Sequence, residues 1–394
     1  MIKNFTFNNF YSFADEAVID FALGKKPTPS GYDIVVDGQR YNKAVAVVGA
    51  NGSGKTQLLK PFAFLSWFVV DSFLKVDPDD KIPCEPHLLK ADKPSLFELE
   101  FMMGGVDYRY ELKIVEKEVS FEALYEKTSS QFSYLFKREK TNKGYEFRQK
   151  GFPFQKAQAE RIRGNASLIA AAHSYDVPEA SPFVDFFDLI SSNVVDSGRL
   201  PFARSDVMRV AEEFHKRPVT MARVSEAMCK FDLGLSDIDI RRVFGPNDKG
   251  SEELFYLPYG IHRTEEDETF ELPFLYESSG TQSAFVLLEP ILRALHGGGI
   301  AVIDELDNDL HPHLVPQLLE WFEYDHTNPH QAQLIFTCHT PEVLNLLQKH
   351  QVYLVEKRNQ RSEAWRLDEM TGLRADDNLY AKYMAGALGA TPEL

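Results

Sequence analysis

The sequence predicts an α/β fold organised around a phosphate-binding loop. The loop is the run GANGSGKT at residues 49–56, and it follows the apolar run AVAVV at residues 44–48. A second apolar run, IAVI at residues 300–303, ends in the carboxylates of Asp304 and Glu305. Buried strands that end in polar loops, with helices between them, are typical of parallel sheets covered by helices.

An N-terminal antiparallel β-region is predicted by the alternation of apolar and polar residues. Residues 2–21 alternate in this way and predict two strands before the phosphate loop. Three further alternating runs predict a meander, at residues 96–103, 108–115 and 121–127. After the phosphate loop we expect a helix at residues 57–75, kinked near Pro61, and then a proline-rich loop at residues 77–94.

A separate, mainly helical insertion is predicted for the middle of the chain. Residues 155–243 show helical periodicity without sustained heptads or a short repeat, which argues against a long coiled-coil arm. The clearest helical runs lie at residues 184–190, 205–216 and 224–228. The predicted domains are residues 1–150 as the first part of a nucleotide-binding head, residues 151–270 as the insertion and residues 271–394 as the second part.

The charge of the chain limits its classes of function. Its 394 residues include 43 basic and 59 acidic ones, which gives a formal net charge of −16. Affinity for phosphate backbones comes largely from lysine and arginine, so the net charge argues against a protein whose whole surface attracts nucleic acid. The basic runs at residues 137–140, 156–163 and 241–242 are interpreted as solvated faces, and a local contact with nucleic acid is left open.

Neither a membrane span nor a disulfide framework is predicted. The longest apolar run, residues 58–70, is interrupted by a lysine and a proline and is shorter than the roughly 20 residues that span a bilayer. The N-terminus lacks the apolar core of a secretory signal. Cys84, Cys229 and Cys338 lie far apart and form no CxxC pair. We therefore expect a cytoplasmic protein without a zinc site.

The phosphate loop predicts the binding of ATP with Mg²⁺. Its glycines let consecutive backbone N–H groups turn inward around the phosphates at a helix N-terminus. Lys55 is placed to reach the β- and γ-phosphates, and Thr56 offers its hydroxyl to the metal. The predicted ATP ligands in this segment are Asn51, Gly52, Ser53, Gly54, Lys55, Thr56 and Gln57.

The acidic end of the second apolar run predicts the catalytic half of the site. Asp304 is placed to hold Mg²⁺. Glu305 follows it, points elsewhere and can polarise the attacking water. One carboxylate therefore serves the metal and the other serves the nucleophile.

At residues 277–281 the chain resembles the ABC-class ATPases. This run, ESSGT, aligns with their LSGGQ signature and places Ser278 and Gly280 on its serine and second glycine. A helix N-terminus with a hydroxyl and an unhindered glycine can bind an anion. The resemblance also implies that His339, which follows the apolar run at residues 333–337, is the switch histidine that contacts the γ-phosphate. No Q-loop glutamine is identified.

The loop after Asp304 and Glu305 indicates which branch of the ABC ATPases the chain resembles. Residues 304–312 read DELDNDLHP and resemble the RecF, OLD and abortive-infection branch of the ABC ATPases, whereas transporter ATPases carry Asp in place of His311. Residues 371–394 resemble the tail of ATPases paired with separate effectors in phage-defence operons. Only 55 residues follow His339 (394 − 339), too few for the Toprim domain of OLD nucleases, so any nuclease is expected on another chain.

The resemblance implies an ABC-type ATPase head that forms a homodimer or higher oligomer around ATP and Mg²⁺. In this interpretation Glu305 and His339 are catalytic, and Thr56 and Asp304 hold the metal. The ATPase would regulate a separate effector, a nuclease or toxin, in bacterial anti-phage defence. Three alternatives stay open: a RecF-like DNA-repair ATPase, a transporter ATPase, which the insertion disfavours, and a scaffold that binds ATP without hydrolysing it.

Overall fold

The computed structural model describes residues 1–24, 27–231, 234–246, 250–308, 314–374 and 376–391 of the chain. Its N-terminal part leads through short strands into the phosphate loop. In chain order the elements are β1 (Ile2–Asn8), β2 (Ala17–Asp20), β3 (Ala22–Leu23), β4 (Asp33–Val36), β5 (Gln39–Asn42), β6 (Ala44–Val48) and α1 (Lys55–Asp71). Strands β3, β5 and β4 form a small antiparallel sheet in that order.

An antiparallel sheet follows and confirms the predicted β-region. Its further strands are β7 (Ser95–Met103), β8 (Val106–Val115), β9 (Glu118–Lys127), β10 (Phe132–Thr141) and β11 (Gly144–Gln149). The strand order is β11–β10–β9–β8–β7–β1–β2, so the sheet includes two strands, β10 and β11, that the sequence did not predict. Its register aligns the buried residues Leu99, Tyr110 and Leu124 across three strands.

The middle segment alternates between helices and strands. Its elements are α2 (Lys156–Ala159), α3 (Leu168–Ser174), α4 (Ser181–Asp188), β12 (Ile190–Ser192), β13 (Val194–Val195), β14 (Gly198–Arg199), α5 (Arg204–His215), α6 (Pro218–Phe231), β15 (Leu235–Pro246), β16 (Glu252–Arg263) and β17 (Thr269–Pro273).

The C-terminal part completes a second, largely parallel sheet. Its elements are α7 (Ser279–Gly297), β18 (Ile300–Ile303), α8 (Leu314–Glu323), β19 (Gln333–Thr337), β20 (Val352–Arg358), β21 (Arg361–Arg366) and α9 (Leu379–Met384). The strand order is β12–β18–β19–β6–β20–β21, with only β21 running against its neighbour. The carboxyl ends of β6, β18 and β19 therefore meet at one edge of the sheet. The predicted α/β fold with an N-terminal antiparallel region is confirmed.

The middle segment departs from the prediction of a separate, mainly helical insertion in two ways. Strand β12 is an edge strand of the parallel sheet, where Ile190 pairs with Ile300. Strands β15–β17 form an antiparallel sheet, and β15 covers residues that the sequence predicted to be helical. The alternation of Ile238 and Ile240 with charged neighbours is a strand pattern, and pairing with β16 decides in its favour. The domain limits at residues 150 and 270 stay a prediction.

Strand β6 sends alternate side chains into two hydrophobic cores, because successive residues of a strand point to opposite faces. Val45 and Val47 lie in the core that faces the antiparallel sheet, with α1, α3 and α4. Ala44, Ala46 and Val48 lie in the opposite core, with α5, α6, α7, α8 and α9. Both cores therefore fix the strand that leads into the phosphate loop.

A buried carboxylate joins the antiparallel sheet to α3. Glu122 on β9 is completely buried. It accepts hydrogen bonds from the hydroxyls of Tyr110 (2.9 Å) and Ser167 (3.0 Å) and from the backbone N–H of Leu168 (2.9 Å). Burial raises the pKa of Glu122, and the charge of Arg138, 3.8 Å away, opposes this shift. Arg138 is itself completely buried, so one of the basic runs predicted to be solvated contains a core arginine.

Replacing this carboxylate tests how far it stabilises the fold. Glu122→Ala is expected to lower the free energy of unfolding by about 3–5 kcal/mol, because Arg138 would become an unpaired buried charge. Chemical denaturation followed by circular dichroism measures the change. Glu139→Ala, at an exposed position of β10, is the control and should change it by less than about 0.5 kcal/mol. Equal unfolding midpoints for the two variants would show that the Glu122 carboxylate does not stabilise the fold.

Candidate nucleotide-binding site

The phosphate loop joins β6 to α1 through backbone that requires glycine at two places. Gly54, directly before α1, has a φ of 113°, a conformation that favours glycine. A Cβ atom on Gly49 would lie 2.3 Å from the carbonyl oxygen of Val355. Helix α1 begins at Lys55, so the loop presents its N–H groups at a helix N-terminus.

The side chains of the loop fit a triphosphate. Lys55 Nζ donates to the carbonyl oxygens of Gly49 (2.8 Å) and Ala50 (3.2 Å), which folds the ammonium over the loop. Burial lowers the pKa of Lys55, while the nearby carboxylate of Asp304 favours the charged form. The Ser53 hydroxyl is buried and has no hydrogen-bond partner within the described residues. A buried hydroxyl without a partner is suited to bind an anionic oxygen.

A cavity of about 860 Å³ opens beside the phosphate loop. It is lined by residues 49–53, His339, residues 356–359, Tyr383 and Thr391. Asn51, Gly52 and Ser53 are among these lining residues, whereas the other predicted ATP ligands of the loop, Gly54, Lys55, Thr56 and Gln57, are not. The role of these residues in binding ATP stays a prediction. The cavity also involves the β20–β21 turn and the C-terminal segment, which the sequence had not connected with the site.

Gln57, another predicted ATP ligand, has a structural contact. Its Oε1 atom accepts a hydrogen bond of 2.9 Å from the backbone N–H of Ser12. This bond fastens α1 to the loop between β1 and β2. The Gln57 side chain therefore already has a hydrogen-bond partner within the protein.

The Asp304 carboxylate connects α1 with β19. Thr56 Oγ1 donates to Asp304 Oδ2 at 2.8 Å, and Thr337 Oγ1 donates to Asp304 Oδ1 at 2.6 Å. Asp304 is only 1% exposed. The two predicted metal ligands, Thr56 and Asp304, are therefore in direct contact, and hydroxyl and carboxylate oxygens are ligands that Mg²⁺ accepts.

Glu305 is held by contacts from three sides. Its backbone has a φ of 54°, and its N–H donates to Thr337 Oγ1 at 2.7 Å. Its Oε1 atom lies 3.0 Å from His339 Nε2, and its Oε2 atom lies 3.0 Å from Arg199 Nη1. The structure thus brings together the two residues predicted to be catalytic, Glu305 and His339, although they are far apart in the sequence.

Two residues of the middle segment belong to this site and were missed by the sequence analysis. Asn193 Nδ2 donates to the carbonyl oxygen of Asp304 (3.0 Å), and the N–H of Asp304 donates to Asn193 Oδ1 (2.7 Å). Arg199 contacts Glu305 as described above. Asn193 could have been identified from its position directly after β12, because Asp304 has the same position after β18. Strand β12 has only three residues, too few to stand out as an apolar run.

The signature run starts a helix as predicted. Ser278 is the N-cap of α7, and its hydroxyl accepts a hydrogen bond of 3.1 Å from the backbone N–H of Thr281. Gly280 lies in the first turn of this helix. Glu277, directly before the cap, contacts His262 Nε2 at 2.7 Å. Neither Ser278 nor Gly280 is among the described residues that line the cavity beside the phosphate loop.

The loop after the acidic pair is described only in part. Asp307 accepts hydrogen bonds from the backbone N–H groups of His339 (3.0 Å) and Thr340 (2.7 Å). Burial opposes ionisation of Asp307, but these bonds and one from the Thr340 hydroxyl keep its pKa below the usual value. His311, on which the distinction from transporter ATPases depends, lies outside the described residues.

A family model and several solved structures match most of the length of the chain. Residues 44–345 match the family model described as "AAA domain, putative AbiEii toxin, Type IV TA system". No curated protein matches the sequence. Among solved structures, the SMC head domain from Thermotoga maritima matches with 14% identity and a TM-score of 0.41, over 93% of this chain and 98% of that chain. An Smc head domain with a coiled coil and joint from Pyrococcus yayanosii matches with 11% identity and a TM-score of 0.44, over 98% and 99%.

Among the described residues, no helix is both long and apolar enough to cross a membrane.

The hydroxyl of Thr337 offers a test of the hydrogen-bond network. Thr337→Val keeps the β-branched shape but removes the donor to Asp304 and the acceptor for the Glu305 N–H, so it should lower the free energy of unfolding by about 1–3 kcal/mol. Chemical denaturation measures the loss. The matched control is Thr269→Val at an exposed position of β17, which should leave stability nearly unchanged. Equal losses in both variants would mean that the network does not stabilise the protein.

Proposed function

Because the chain belongs to the AAA-domain family whose model matches residues 44–345, we propose that it is a Mg²⁺-dependent ATPase of the ABC class. The observation that carries the proposal is a chain of contacts that runs through Thr56, Asp304, Thr337, Glu305 and His339. A phosphate loop alone supports nucleotide binding. A second carboxylate held beside a histidine supports hydrolysis as well.

Each residue has a distinct role in the proposed reaction. The N–H groups of the phosphate loop and the Lys55 ammonium bind phosphate oxygens. Thr56 and Asp304 would hold Mg²⁺, which would supply positive charge to neutralise the phosphates. Glu305 accepts a proton from the attacking water, and His339 orients the Glu305 carboxylate.

The position of the signature run supports a site shared between two copies of the chain. Ser278 and Gly280 start α7 and are not among the described residues that line the cavity beside the phosphate loop of their own chain. In the ABC class, the signature of one subunit completes the phosphate-loop site of the other. The chain accordingly forms a homodimer that encloses ATP at two composite sites.

The description of the family supports a role in bacterial defence against phage, because it reads "putative AbiEii toxin, Type IV TA system". In this role the ATP-bound dimer controls a separately encoded effector, a nuclease or toxin. Co-purification of the tagged chain with the product of a neighbouring gene tests the partnership. Plaque counts in cells that carry wild-type or Lys55→Ala protein test the role, and equal counts would contradict it. Steeply salt-dependent DNA affinity of the pure protein would instead favour a RecF-like function.

Lys55→Ala is expected to abolish ATP binding, because it removes the positive charge that the loop directs at the phosphates. Isothermal titration calorimetry measures the affinity. The control is Lys75→Ala, which removes a lysine that is 71% exposed and lies beyond the end of α1. If Lys55→Ala protein binds ATP as tightly as the control, the assignment of the phosphate loop is wrong.

Glu305→Gln should preserve ATP binding but lower the rate of hydrolysis by about a hundredfold or more, because the amide cannot accept the proton of the attacking water. ATP-bound dimers should then accumulate, which light scattering with ATP and Mg²⁺ detects. Glu139→Gln, far from the site on β10, should hydrolyse ATP like the wild type. A Glu305→Gln protein with full activity would remove this residue from the mechanism.

A further inference from the structure

A hairpin of the middle segment reaches the acidic pair, and neither a sequence motif nor the family description assigns it a role. It consists of Asn193, β13 and β14, and it ends at Arg199. Its first residue binds the backbone of Asp304, and its last residue binds the side chain of Glu305. We propose that Arg199 is a positioning residue that fixes the direction of the Glu305 carboxylate during ATP hydrolysis. This inference rests on the proposed ATPase function.

The two oxygens of the Glu305 carboxylate are held from different sides. Arg199 Nη1 lies 3.0 Å from Oε2, and His339 Nε2 lies 3.0 Å from Oε1. A glutamate side chain has three rotatable bonds, so one contact leaves the carboxylate free to turn about that contact. Two contacts, one at each oxygen, define its plane and direction. Each oxygen keeps a further lone pair, so the carboxylate can still accept a proton from water.

The hairpin is itself anchored to the helix of the phosphate loop. The carbonyl oxygen of Asp196, at the hairpin turn, accepts hydrogen bonds from Lys60 Nζ (2.6 Å) and from the Tyr11 hydroxyl (2.8 Å). Lys60 belongs to α1, and its ammonium lies 3.7 Å from the centre of the Tyr11 ring. Val194 pairs with Arg199 across the hairpin. The guanidinium of Arg199 is therefore presented by backbone that is fixed relative to the phosphate loop.

The Arg199 guanidinium contacts the side chain that is proposed to act on the attacking water, so its effect is expected on the chemical step and not on ATP binding. The side chains of Arg199 and Glu305 are 24% and 30% exposed, and ion pairs accessible to water contribute little to stability. Loss of the guanidinium should therefore change the rate of the chemical step, while the affinity for ATP and the fold stay unchanged.

Two substitutions separate the charge of Arg199 from its packing. Arg199→Met keeps an apolar stem of similar length and removes the guanidinium, whereas Arg199→Lys keeps the positive charge. In steady-state ATPase assays, Arg199→Met should lower kcat by about tenfold to a hundredfold, as expected for a misdirected catalytic group, with KM for ATP within about twofold of the wild type. Arg199→Lys should recover most of this loss. Arg209→Met, at an exposed position of α5, is the control and should retain wild-type activity.

The decisive comparison uses the Glu305→Gln protein. If Arg199 acts through the carboxylate, adding Arg199→Met to Glu305→Gln should cause no further fall in the single-turnover rate. A further fall as large as in the wild-type background would overturn the proposal, as would a kcat of Arg199→Met equal to that of the wild type. A loss of ATP affinity that Arg199→Lys does not recover would also overturn it. A wild-type protein without ATPase activity would instead overturn the proposed function, and the role of Arg199 with it.

Discussion

The buried carboxylate of Asp304 is the interaction on which the geometry of the site depends. Each of its oxygens accepts a hydrogen bond from a threonine, one on α1 and one at the end of β19. Its backbone is bound by Asn193 at the end of β12. A buried charge is costly unless it is hydrogen-bonded, so these partners must be in place for the carboxylate to stay there. These hydrogen bonds thereby fix the start of α1 relative to the carboxyl ends of β12 and β19.

The same network sets the position of Glu305. The Thr337 hydroxyl donates a hydrogen bond to Asp304 and accepts one from the N–H of Glu305, so one side chain positions both acidic residues. The Glu305 backbone adopts a positive φ, which costs a non-glycine residue about 1–3 kcal/mol. The surrounding hydrogen bonds offset this cost. The side chain then lies between His339 and Arg199.

The sequence was most informative where function is encoded by neighbouring residues. The phosphate loop and the acidic pair could be predicted because each requires particular residue types at fixed spacing after an apolar strand. Asn193 and Arg199 could not, because they meet Asp304 and Glu305 from 111 and 106 residues away along the chain. Their contacts exist only because β12 pairs with β18. Strand β15 was likewise assigned to a helical segment, since its pairing with β16 outweighs local periodicity.

Complementation between two inactive variants tests most directly the proposal that each ATP site is built from two copies of the chain. Lys55→Ala removes the charge that is proposed to bind phosphate. Gly280→Asp places a carboxylate where the signature would meet the γ-phosphate, and an acidic residue in the first turn of a helix leaves α7 intact. Each variant alone should be inactive. Their mixture should regain ATPase activity, because a heterodimer has one site with an intact phosphate loop and an intact signature. An inactive mixture in which heterodimers are demonstrated would contradict the claim and leave Ser278 as the cap of a helix.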